Sequence, residues 1–129
     1  MDWVYAVIGL AILECFVFSM LVGFKRVKTG VEAPAVTGDP VFERYYRVHY
    51  NTIEQLIIFI PAILLFAHYI SATVAAGLGV LFVIGRLVYL RLYTTNPAKR
   101  GPGFGLSMLP TIILLLGGLG GALWSAINS

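Results

Sequence analysis

Four stretches of this chain are apolar over lengths that matter: Trp3 to about Val22, about Arg47 to Tyr69, Ala72 to about Tyr93, and Phe104 to about Ile127. Each is close to the ~20 residues of helix that cross the ~30 Å hydrocarbon layer of a membrane. The second stretch is the most informative. Its uninterrupted apolar part, Leu56 to Ala67, is only twelve residues long, so a crossing has to begin upstream, near Arg47 to Tyr50. Asn51 and Glu54 then lie below the headgroups, where an ionisable side chain is costly and marks a site.

Arg44, Arg47, Asn51 and Glu54 follow one another at spacings of three, four and three, which lays them along one face of a helix. About forty residues later Arg86, Tyr89 and Tyr93 share a face of the third stretch, with Arg100 just beyond its end. Two such stripes, if they face each other, enclose a polar cavity. Each residue also has a plainer role open to it. Arg44 and Arg47 alone would pass as anchors snorkelling to headgroups. Arg86 would serve to neutralise Glu54 or Glu14 across helices, and Tyr89 and Tyr93 would sit in an interfacial aromatic belt. Glu14, near the centre of the first span, suits packing against a cation or hydroxyl better than chemistry. Cys15 beside it reads as a packing residue, and a single cysteine forms no internal disulfide.

Composition removes the soluble alternatives. Of 129 residues, 59% are hydrophobic and 12% charged, with a mean hydropathy of +0.88, and a small soluble core cannot hide that much apolar surface. The expected fold class is all-α, a single integral membrane domain over residues 1–129 with four spans and no room for a soluble domain. A net charge of +3 does not point to nucleic acid, because the cations are placed otherwise. Lys25, Arg26, Lys28, Arg44 and Arg47 flank a loop expected from Lys25 to about Arg44. Arg86, Arg91, Lys99 and Arg100 flank the third connection, and the second connection and both termini carry none. The positive-inside rule then puts both basic loops in the cytoplasm and both termini outside. Trp3 to Leu13 lacks the basic flank and cleavage site of a signal peptide and reads as a retained span.

Turn residues punctuate the connections: Thr29-Gly30, Pro34 and Gly38-Asp39-Pro40 in the first, Asn96-Pro97 and Gly101-Pro102-Gly103 in the third. Gly117 and Gly121 form a small-xxx-small pair suited to close helix packing. Pro61 and Pro110 are of the kind that membrane helices tolerate as kinks or loosened turns. No His, Cys or acidic cluster has metal-ligand spacing, so no metal is expected.

Glu43-Arg44-Tyr45-Tyr46-Arg47-Val48-His49-Tyr50-Asn51-Thr52-Ile53-Glu54 resembles the Glu-Arg-x-x-Arg-x-x-x-Asn-x-x-Glu signature of the membrane-associated proteins in eicosanoid and glutathione metabolism, the MAPEG superfamily. Gly85-Arg86-Leu87-Val88-Tyr89-Leu90-Arg91-Leu92-Tyr93, followed by Pro97 and Lys99-Arg100, resembles that family's third helix and the basic corner after it. The resemblance covers essentially the whole chain. It implies a left-handed four-helix bundle, a homotrimer, and glutathione bound as co-substrate between neighbouring subunits near the cytoplasmic face. By the same resemblance Arg47 and Arg26 hold glutathione carboxylates, Asn51 and Glu54 meet its amide and amine, Tyr89 and Tyr93 line the pocket, and Arg100 stabilises the thiolate.

The implied chemistry is physically sound. A free thiol has a pKa of about 8.5, and a nearby guanidinium favours the thiolate, which is the nucleophile. A planar guanidinium also grips a carboxylate through two hydrogen bonds. The lipid side of such a cleft admits an apolar electrophile or a lipid hydroperoxide. Gln55 stands where the leukotriene C4 synthase branch has a tyrosine, and Leu92 replaces a small residue before the second tyrosine, which argues against eicosanoid specificity. The expectation is a microsomal-type glutathione transferase, with peroxidase activity allowed, in a bacterial inner membrane. Two other classes stay open: a non-catalytic lipid-binding scaffold resembling the 5-lipoxygenase-activating protein branch, and a small multidrug transporter, suggested by four short spans and Glu14.

Overall fold

The computed structural model describes residues 1–129 and is built from four long helices with no strand: α1, Asp2–Thr29; α2, Pro40–Tyr69; α3, Ala72–Thr95; and α4, Gly101–Ile127, preceded by a 3₁₀ turn at Pro97–Lys99. All four are long and apolar enough to cross a membrane.

Local chemistry sets the helix ends. The chain leaves α1 at Gly30, whose φ of 76° is left-handed and strongly favours glycine. Asp39 caps α2 by accepting a 3.0 Å bond from the Phe42 N–H, with Pro40 in the first turn, where its missing N–H costs nothing. Ser71 caps α3 in the same way through Val74 N–H, so α2 and α3 are joined by only Ile70 and Ser71. Asn96 caps the 3₁₀ turn through Ala98 N–H. Both α2 and α4 run on as helices through Pro61 and Pro110.

Three expectations need adjusting. The first connection does not run from Lys25 to Arg44: α1 continues to Thr29 and α2 starts at Pro40, leaving a loop of residues 30–39. The hydrophobic pattern marks where helix meets hydrocarbon, whereas capping marks where helix stops, and α1 at 28 residues is about 42 Å long at ~1.5 Å per residue. Gly101-Pro102-Gly103 likewise opens α4 rather than lying in a loop. Arg86 does not flank a connection at all; it is fully buried, nine residues before the end of α3. The other eight cations do sit at one end of the bundle, on or beside the α1–α2 and α3–α4 connections.

α1 packs against α2 and α3, and α4 packs against the same two helices. Of three apolar clusters, one joins Val22, Val31 and Phe42 beside the first loop, and two others line the bundle interior. The larger, toward the α2–α3 turn, joins Val4, Val7 and Ala11 to Phe59, Ile63 and Phe66, Ala75 and Phe82, and Leu114, with the Phe59 and Phe82 rings stacked at 3.9 Å. The smaller, toward the cationic end, centres on Phe18, Val48 and Tyr89 and includes Leu21, Leu90, Tyr93 and Phe104.

Glycines let α4 lie against its neighbours. A Cβ at Gly117 would meet the Phe66 ring at 2.6 Å, and one at Gly121 would meet Tyr69 Cβ at 2.7 Å, so the small-xxx-small pair does face a helix. The tighter contact is with α3, where a Cβ at Gly85 would stand 2.6 Å from the Ser107 nitrogen and one at Gly103 would run into the Tyr89 backbone nitrogen. Backbone has no rotamer with which to yield. Gly103→Ala is therefore expected to cost about 1–3 kcal/mol through overpacking, read as a lower melting temperature in detergent. Gly105→Ala, where a Cβ meets nothing within 4 Å, should leave the melting temperature unchanged or raise it.

Candidate functional site

The site grows from the meeting of α2, α3 and the start of α4. Val48, Thr52 and Gln55 face the bundle interior on α2, which turns the polar stripe of Arg44, Arg47, Asn51 and Glu54 obliquely to the core. Its inner edge is bonded. Arg44 Nη1 donates to the Thr94 carbonyl at 3.3 Å, and Asn51 Oδ1 accepts a 2.7 Å bond from Arg86 Nη2. Its outer edge is bare, because Arg47 and Glu54 are exposed on the surface of the single chain.

Arg86 holds the inner edge together. Nη1 donates to Ser107 Oγ at 3.1 Å, and the guanidinium carbon lies 4.4 Å from the centre of the Tyr89 ring, within cation–π range. One side chain thus ties α3 to both α2 and α4. Tyr89 continues the assembly, with its ring 5.5 Å from that of Tyr93 and 6.1 Å from that of Phe104. Because the Asn51 carbonyl is taken by Arg86, its amide N–H groups remain free to donate elsewhere.

A cavity of about 540 Å³ opens beside this assembly, lined by Asn51, Tyr89, Ala98, Arg100, Gly101 and Phe104. Of the residues singled out from the sequence, the structure brings Asn51, Tyr89 and Arg100 into one cavity, with Tyr93 against Tyr89. Arg100 is exposed and its Nη1 donates to the Pro97 carbonyl at 2.9 Å, so the 3₁₀ turn steadies it at the cavity mouth. Arg47 and Glu54 lie outside the cavity lining. Arg26 is farther off: its Nη1 donates to the Ala35 and Val31 carbonyls at 2.7 and 3.4 Å, and its guanidinium covers the Phe42 ring at 4.6 Å. In the single chain Arg26 holds the loop of residues 30–39 closed.

Several participants escaped the reading of the sequence. Ser107, the second partner of Arg86, is the one hydroxyl in the first two turns of α4, and its spacing of four from Thr111 on one face of an apolar span was the signal available. Ala98, Gly101 and Phe104 line the cavity through the compactness of the 3₁₀ turn and carry no chemical signal. Gln55 is buried in the bundle rather than set beside Glu54, since adjacent helical residues point about 100° apart.

These features define an all-helical membrane protein with a polar cavity at its cationic end. The sequence profile of the MAPEG family matches residues 4–120. The chain is 43% identical to an uncharacterized protein of Synechocystis sp. over 122 residues, 95% of this chain and 89% of that one. It is 38% identical to microsomal glutathione S-transferase 2 of Homo sapiens over 104 residues, 80% of this chain and 71% of that one. The Bos taurus protein of the same name is 35% identical over the same coverage. The chain belongs to the MAPEG family.

Proposed function

We propose that this protein is a membrane-bound glutathione transferase that conjugates the glutathione thiolate to apolar electrophiles, with reduction of lipid hydroperoxides as a related activity of the same site. The observation that carries the reading is the convergence of Asn51, Tyr89 and Arg100 on one cavity at the cationic end. Similarity to microsomal glutathione S-transferase 2 supports it.

Glutathione carries two carboxylates, one ammonium and a thiol. Arg100 at the cavity mouth favours the thiolate by its fixed positive charge. The sulfur then attacks the electrophile: with an aryl halide a C–S bond forms and halide departs with the bonding pair. Asn51 donates its free amide N–H groups to the tripeptide backbone, and Tyr89 and Tyr93 wall the pocket. Arg47 grips a carboxylate and Glu54 the ammonium. Arg26 is the second carboxylate arginine of the proposal, and it would exchange the Val31 and Ala35 carbonyls for its ligand.

The exposure of Arg47 and Glu54 also bears on assembly. Charged side chains at membrane depth turn toward protein or water, not lipid. A neighbouring copy laid against the outer edge of the α2 stripe covers both and completes the pocket, and we propose a homotrimer on that ground. We place the protein in a bacterial inner membrane, with the cationic end cytoplasmic and both termini periplasmic.

Arg100→Ala is expected to reduce turnover of an aryl halide about 10²- to 10³-fold with little change in glutathione affinity, as for loss of a group that stabilises charge at the reacting atom. Arg47→Ala and Glu54→Gln should instead weaken glutathione binding and largely spare the thiolate titration. Wild-type thiolate absorbance and rate in Arg100→Ala would remove its assigned role, and unchanged glutathione binding in all three variants would overturn the transferase reading. The mass of the purified protein with detergent subtracted should equal three chains; a monomer that binds glutathione would rule out the shared site. A cysteine introduced at Gly38, in a background lacking Cys15, should react with an impermeant reagent only after the cytoplasmic face is opened. Labelling from the periplasm would reverse the topology.

A further inference from the structure

Between the two interior apolar clusters, every helix contributes polar side chains at one level. On α1, Glu14 lies between Ala11 of the larger cluster and Phe18 of the smaller. On α2, Thr52 and Gln55 lie between Phe59 and Val48; on α3, Arg86 lies between Phe82 and Tyr89; on α4, Ser107 and Thr111 lie between Leu114 and Phe104. All six are buried, Arg86 completely and Glu14 to within 7%. Four helices therefore share one polar cross-section with apolar side chains above and below it.

The hydroxyls in this layer are satisfied by their own helices: Thr52 Oγ1 donates to the Val48 carbonyl at 2.8 Å, Thr111 Oγ1 to the Ser107 carbonyl at 2.9 Å, and Ser107 Oγ to the Phe104 carbonyl at 3.0 Å. Four buried atoms have no protein partner: both carboxylate oxygens of Glu14, Oε1 of Gln55 and Nε of Arg86. The set is complementary, one cationic N–H donor against three acceptors. Buried polar groups in native interiors find partners, in protein or in ordered water. Glu14 and Arg86 lie in this layer on helices that pack together, and no direct hydrogen bond joins their unpartnered atoms, so water is the partner open to both. An isolated buried charge is heavily penalised, whereas a paired and fully bonded one is not.

We infer that Glu14 is the counter-ion of Arg86 across bound water, with Gln55 as a further acceptor, and that Glu14 acts through Arg86 as a positioning residue for Asn51. Arg86 bonds Ser107 and Asn51 through its two Nη atoms, and Nε is its one nitrogen with no partner. Balancing that edge keeps the guanidinium in place. The guanidinium in turn fixes the Asn51 carbonyl and leaves the amide donors free at the cavity. The ion pair stands on the interior geometry alone; its consequence for ligand rests on the glutathione reading above.

A thermal double-mutant cycle on the full-length protein in detergent tests the pair. Glu14→Gln and Arg86→Gln should each lower the melting temperature by on the order of 10 °C, and the combined variant should recover at least half of the summed loss. A single variant that fails to fold while the pair folds is the extreme of the same result. Additive losses, or a pair no better than its worse member, overturn the counter-ion assignment. Glutathione affinity tests the positioning role. Glu14→Gln should weaken binding roughly tenfold, Glu14→Asp, which keeps the charge, should restore most of it, and Glu14→Gln should add nothing in an Asn51→Ala background. Wild-type affinity in Glu14→Gln would overturn the positioning role. If the wild-type protein itself binds no glutathione, the functional reading fails, while the thermal cycle still decides the ion pair.

Discussion

A guanidinium keeps its proton under any condition a protein meets, and Arg86 lies wholly inside a bundle whose outer surface faces hydrocarbon. It can neither lose its charge nor reach bulk solvent. The architecture is consistent with satisfying it: Asn51 from α2 and Ser107 from α4 accept its two Nη bonds, and the Tyr89 ring covers its face. The glycines at 85 and 103 bring the α3 and α4 backbones close enough for Ser107 to reach. That approach also carries the 3₁₀ turn and Arg100 to the rim of the cavity that Asn51 lines. A structural requirement in the interior thus fixes the arrangement at the surface.

The polar stripe of α2 divides along its length. A stripe at spacings of three, four and three drifts across roughly 80° of helix circumference, and the boundary between bundle and surroundings falls within that width. Arg44 and Asn51 land on the bonded side; Arg47 and Glu54 land on the bare side. One helix therefore serves packing on one edge and presents charge on the other. Arg26 illustrates the same economy in reverse, a cation at the membrane face that holds a loop by three contacts within its own chain.

The amino-acid sequence by itself determined the number and type of elements. Four apolar stretches of membrane-spanning length, turn residues between them and all cations but Arg86 gathered about two connections leave only an all-helical membrane fold, although the helix ends themselves were set by the caps seen in the structure. Family membership was legible in the spacing of Arg44, Arg47, Asn51 and Glu54, because a helical face is a property of one segment and needs no partner to define it. So was the shared face of Arg86 with Tyr89 and Tyr93.

Tertiary structure alone decided how each helix is rotated about its axis. Periodicity tells which residues share a face but not where that face points; that is set by the close approach of backbones at Gly85 and Gly103 and of side chains to Gly117 and Gly121, contacts between residues far apart in the chain. For this reason Arg86 pairs with Asn51 and Ser107 rather than directly with an acid, and Gln55 turns inward while Glu54 turns out. Glu14, whose partner no spacing within α1 could name, meets its level of the bundle only when four helices are stacked in register.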